Sequence, residues 1–172
     1  APMAVQAPAR LPSDKNDLHT LRWSVRSQGE SGFLFVNNHV RQYATPAHRG
    51  VQFTVQLTSG PVVLPSRPVT IATGDYFFWP IGLDLDGVLL SWATAQPVTR
   101  LADADGPIHV LIATAPGSVE LAFPSGTRLS APSRTEGPHV IADVPPAPDR
   151  LLTVTGADGR KVRLLLLDQM SA

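Results

Sequence analysis

Asp84 and Asp86 sit two residues apart, so on a strand both carboxylates would project from one face, as a pair of glycosidic acid groups might. The same spacing suits a hairpin, because Asp86-Gly87 is a strong two-residue turn signal and Asp is favoured at turns and strand ends. Catalytic carboxylates ordinarily flank a cleft from different elements, so the turn role is the expectation. Asp103 and Asp105, in Ala102-Asp103-Ala104-Asp105-Gly106, read as loop residues. The three glutamates, Glu30, Glu120 and Glu136, are scattered and offer no pair. His19, His39, His48, His109 and His139 lack the close ligand spacing of a zinc site. No nucleophile elbow, His-Glu-x-x-His, phosphate-cradling glycine loop or calcium loop occurs. The expectation is no catalytic residue, no metal ligand and no cofactor in this chain.

The other chemistry-bearing feature is the run Tyr76-Phe77-Phe78-Trp79-Pro80, the densest group among eleven aromatic residues. Aromatic faces stack on the C–H surface of sugars, so a carbohydrate platform is one reading and packing in a core or at a domain interface is the other. Strand alternation would bury either Tyr76 with Phe78 or Phe77 with Trp79. The candidate surface is Tyr76, Phe77 and Trp79 with the neighbouring Asn37-Asn38-His39 loop, the rings anchoring and the amides orienting. Trp23 and Trp92 fall on regular apolar faces and are expected in the core.

These groups must be positioned by strands. Leu21, Trp23 and Val25 alternate with polar residues, as do Val51, Phe53, Val55 and Leu57. Phe33, Leu34, Phe35 and Val36 form an unbroken apolar run that suits a strand buried on both faces. Further short strands are expected at 61–64, 69–71, 75–79, 83–85, 88–92, 98–101, 108–113, 118–122 and 140–142, with a closing hairpin of 151–154 and 162–167. Turn signals recur every 8 to 12 residues or so and no helical stripe appears, which predicts an all-β fold: a β-sandwich of short antiparallel strands, jelly-roll-like or two packed sheets. The 13 Gly and 17 Pro agree with it.

Residues 1–17 read as a linker, a boundary inside a multidomain protein, and 18–172 as one β-sandwich domain whose Pro-rich stretch 136–149 leads to the closing hairpin. The 172 residues suffice for a core without disulfides, and there is no cysteine. Charge is balanced, 14 Lys+Arg against 14 Asp+Glu, and charged residues make up only 16%. No basic face for nucleic acid is signalled, and no apolar run approaches the length of a membrane span.

Several segments in order carry a family resemblance. Leu21-Arg22-Trp23-Ser24-Val25-Arg26 is followed by Ser31-Gly32-Phe33-Leu34-Phe35-Val36-Asn37-Asn38-His39-Val40-Arg41, then Gly50-Val51-Gln52-Phe53-Thr54-Val55 and Pro68-Val69-Thr70-Ile71. Gly74-Asp75-Tyr76-Phe77-Phe78-Trp79-Pro80, Leu83-Asp84-Leu85 and Trp92-Ala93-Thr94-Ala95-Gln96-Pro97 complete the set, with Trp92 standing where Tyr is the family's residue. Residues 21–125 resemble the β-rich region that follows the catalytic barrel in bacterial β-galactosidases of glycoside hydrolase family 35.

The resemblance implies a parent enzyme, periplasmic or secreted, that releases terminal β-galactose by a retaining mechanism with two glutamates on a (β/α)₈ barrel. Such a barrel takes about 250 residues, and this chain contains no such set of βα units. The implied role is therefore a non-catalytic accessory β-domain whose partner is the catalytic barrel of the same polypeptide. A carbohydrate-binding module that engages galactosides through exposed aromatics is the alternative, and an independent protein-interaction domain a third.

Overall fold

The structure, a computed structural model, describes residues 3–170, so the ends of the expected linker and tail lie outside the described residues. The chain falls into two compact units, Ala1–Phe78 and Trp79–Ala172. Among the described residues every regular element is a strand, as expected. Among the described residues no helix is long and apolar enough to cross a membrane.

The first unit contains β1 (Ala4–Gln6), β2 (Arg22–Gln28), β3 (Ser31–Asn37), β4 (His48–Leu57) and β5 (Gly60–Ile71). β1 lies within the stretch that composition reads as linker. It pairs antiparallel with β2, and its Gln6 side chain exchanges two hydrogen bonds with the backbone of Gln56 in β4. β2 and β3 pair from Arg22↔Asn37 to Gln28↔Ser31. Gly32 is required there, because a Cβ would lie 2.8 Å from Ser27 Cα. The expected strands 61–64 and 69–71 are one strand, β5, and its ladder with β4 shifts register between Val51↔Val69 and Phe53↔Leu64. Pro61, Pro65 and Pro68 are tolerated because, among the described residues, β4 and β5 pair only with each other. Val25, Leu34, Val36, Phe53, Val55, Leu64 and Ile71 are buried. Trp23 is half-buried and meets Phe53 edge-on, ring centroids 5.3 Å apart.

The unit boundary falls inside β6 (Tyr76–Leu85), a single strand where two were expected. The second unit continues with β7 (Val88–Ala93), β8 (Ala95–Leu101), β9 (Ile108–Ala113), β10 (Val119–Pro124), β11 (Arg128–Leu129), β12 (Arg134–Glu136), β13 (His139–Val144), β14 (Leu151–Thr155) and β15 (Lys161–Leu167). One sheet runs β6-β7-β10-β13-β12 and the other β11-β14-β15-β9-β8. Leu85, Leu90, Leu121 and Phe123 from the first sheet share one buried cluster with Leu111, Val154 and Leu164 from the second. Burial of each such side chain contributes about 1.5–3 kcal/mol, and this shared apolar layer makes the unit a β-sandwich. The 136–149 stretch carries β13 at its centre, and the closing β14–β15 hairpin belongs to this same unit. The pairing of β15 with β9 departs from the antiparallel expectation, since it is parallel.

Asp86 and Gly87 have φ of 52° and 94°, the two left-handed positions of a type I′ turn. Asp84 Oδ1 accepts from Gly87 N at 2.7 Å and closes that turn.

Candidate functional site: an outward aromatic face

β6 divides the aromatic run by alternation. Phe77 and Trp79 are buried, at 8% and 3% exposure, whereas Tyr76 is 74% exposed and Phe78 half-buried. The expectation that Phe77 and Trp79 belong to the presented surface is therefore corrected. They point inward, and the indole N–H of Trp79 donates to Thr114 Oγ1 at 2.9 Å. Trp92 is buried as expected and donates its indole N–H to Glu120 Oε1 at 2.7 Å.

Three aromatics that the expected surface omitted, Phe33, Phe35 and Phe78, belong to the outward set. Phe33 meets Phe78 at 5.6 Å between centroids and 83° between planes, and Phe35 lies 5.9 Å from Phe78. The run 33–36 is thus buried on one face only: Leu34 and Val36 point inward, Phe33 is half-buried and Phe35 is 39% exposed. Its signal was present in the sequence, because aromatic and aliphatic residues alternate within the run. Across the β2–β3 ladder Arg26 opposes Phe33, Ser24 opposes Phe35 and Arg22 opposes Asn37, so polar and cationic side chains border the rings. Arg26 is exposed.

The loop after β3 reaches the same region. Asn37 is exposed, and its Oδ1 accepts from His39 N at 2.8 Å, an Asx turn that sets the path of the loop. His39 is exposed, and its ring centroid lies 6.0 Å from that of Tyr76. Asn38 does the opposite work. At 3% exposure it donates through Nδ2 to Pro46 O at 2.8 Å and Ala72 O at 2.9 Å, and its N donates to Asp75 O at 2.7 Å. Its carbonyl accepts from Gly74 N and Thr45 Oγ1. Of the six candidate residues, Tyr76, His39 and Asn37 come together at the surface, Asn38 is the support beneath them, and Phe77 and Trp79 lie inside.

The acidic groups have structural partners. Asp84 closes the hairpin turn, while Asp86 bonds Arg100 Nε at 2.8 Å and His109 Nε2 at 2.6 Å. Arg100 and His109 together hold the Asp86 carboxyl down to about 2, with the Arg100 hydrogen bond the larger influence. Asp103 pairs with Arg163 at 2.7 Å, which lowers its pKa. Glu30 accepts from the N and Oγ of Ser59, Glu120 from Trp92, and Glu136 from Arg134. His139 sits edge-on to Trp92 at 4.6 Å, and burial pushes its pKa down. Among the described residues no group of three or more His, Asp or Glu gathers to hold a metal ion. No family model matches the chain, and no curated protein matches it.

Proposed function

We propose that this chain is a non-catalytic accessory β-domain of a β-galactosidase, supporting a separate (β/α)₈ barrel that hydrolyses terminal β-galactosides. The observation that carries the reading is the outward cluster of Phe33, Phe35, Phe78 and Tyr76. Rings on one sheet face, Phe35 and Tyr76 exposed and Phe33 and Phe78 half-buried, mark an interaction surface, and the neighbouring Arg26 gives it a cationic border. The ordered segments between residues 21 and 125 support the parent's identity. The carboxylates support a non-catalytic role, because Asp84 and Asp86 are engaged in a turn and an ion pair. A retaining glycosidase instead needs two carboxyl groups about 5–5.5 Å apart across a sugar cleft.

Expression of the whole polypeptide encoded by the reading frame that carries this sequence is the test. The whole polypeptide should hydrolyse a chromogenic β-galactoside while the purified chain does not. A whole polypeptide without that activity overturns the reading. A second reading, a carbohydrate-binding module for galactosides, is favoured by the 74% exposure of Tyr76 beside the polar Asn37 and His39.

A further inference from the structure

The second unit holds a hollow of about 160 Å³ at one end of its sandwich. Its floor is Leu152 of β14 with Leu164 and Leu166 of β15, all three buried members of the core. Its sides come from two connections, 130–132 between β11 and β12 and 145–150 between β13 and β14. Ser130, Pro132, Pro145, Arg150 and Leu151 are exposed, so the hollow opens to solvent.

Both connections are fixed to the floor strands. Ser130 N donates to Thr153 O at 3.0 Å and Ser130 Oγ accepts from Thr153 N at 2.9 Å, while Ala147 N donates to Leu166 O at 2.9 Å. The hollow is thereby built before any ligand arrives, and a preformed site spares the ordering cost of binding.

An apolar cavity of about 150 Å³ is large enough for one benzene ring. Most polar groups of the walls are already used or missing. Ser130 is committed to Thr153, Pro132 and Pro145 carry no N–H, and Asp143 is held by Arg134 Nη1 at 2.5 Å. Arg150 differs from these. It is exposed in the wall, and among the described residues its guanidinium has no hydrogen-bond or ion-pair partner, the adjacent Asp149 included.

The structure assigns to this hollow a site for a small carboxylate that carries one aromatic ring, the ring on Leu152, Leu164 and Leu166 and the carboxylate on Arg150. The site lies wholly within the second unit and does not depend on the accessory-domain reading. A flat ring fills the volume with no internal torsion to freeze, and its departure from water supplies the affinity. The planar guanidinium offers two parallel N–H donors that match a carboxylate and fix the ligand's orientation. Arg134 offsets the charge of Asp143, so an anion meets no uncompensated carboxylate in the wall.

Heteronuclear NMR titration of the intact chain with phenylacetate, phenylacetamide and 1-naphthylacetate tests the site. Phenylacetate should give saturable shifts at the amides of Ala131, Arg150 and Leu152, with a Kd below about 1 mM. Phenylacetamide lacks the charge and naphthylacetate exceeds the volume, so each should bind at least about fivefold more weakly. Arg150→Gln, at an exposed position, should weaken phenylacetate about fivefold and leave phenylacetamide unchanged. Absence of saturation at about 10 mM phenylacetate, or shifts centred on other residues, overturns the site. Equal binding of phenylacetate and either control, or wild-type phenylacetate affinity in Arg150→Gln, does the same.

Discussion

The carboxylate of Asp86, at the tip of the β6–β7 hairpin, lies 2.6 Å from His109 Nε2 on β9. The same oxygen accepts from Arg100 Nε on β8, and Arg100 and His109 oppose each other in the β8–β9 ladder. A turn of one sheet is thereby clipped to a strand pair of the other.

This clip predicts a specific acid response. A carboxyl group with a depressed pKa stabilises the fold above its ordinary value of 3.8 and loses that contribution as pH falls through about 2. Between those values the melting temperature of the wild type should fall further than that of Asp86→Asn, which keeps a residue tolerant of the left-handed turn but carries no charge. Thermal unfolding followed by circular dichroism at both pH values checks this, and equal losses would show that the clip contributes nothing.

Trp79 is a structural residue on the present geometry. Trp79→Phe removes the donor to Thr114 Oγ1 and some buried volume, and should cost about 1–3 kcal/mol in urea unfolding. Galactoside affinity should not change. A Trp79→Phe protein of wild-type stability that no longer binds sugar would reverse the assignment of roles along 76–79.

Asn38 should behave as the support for the exposed His39 and Tyr76. Asn38→Ala leaves the carbonyls of Pro46 and Ala72 without their side-chain donor, at a cost of about 1–3 kcal/mol. Hydrogen exchange should accelerate at Gly74 and Asp75 before global unfolding. Unchanged exchange there would mean that the junction is held by other contacts.

Asp84 and Asp86 should be silent in catalysis. Asp84→Asn and Asp86→Asn in the whole polypeptide are expected to leave its hydrolysis of a chromogenic β-galactoside within about twofold, because each carboxylate is engaged in local structure. A loss of several orders of magnitude from either change, at preserved stability, would place catalysis in this chain.

Much of this architecture was legible from the residues alone. Alternation at Leu21 to Val25 and Val51 to Leu57, and the Asp86-Gly87 turn, depend on backbone geometry that neighbouring residues dictate. They gave the all-β class and most strand positions. The same local rule showed that the 76–79 aromatics must divide into two pairs, but either division satisfied it. Tertiary structure chose, because Trp79 finds Thr114, 35 residues away, as a partner for its indole N–H, and Tyr76 is left outside.

The parallel pairing of β15 with β9 was equally out of reach, since neighbouring residues carry no record of which distant strand will lie alongside. The role of Asn38 was hidden for the same reason. In the sequence it is one polar residue between Asn37 and His39, and only the convergence of residues 45–46 and 72–75 supplies the carbonyls that make its burial favourable. Short-range periodicity thus determined which residues form strands. Which face of each strand is covered, and which side chains remain to meet a ligand, was decided by long-range contacts that bury one face and leave the other to solvent.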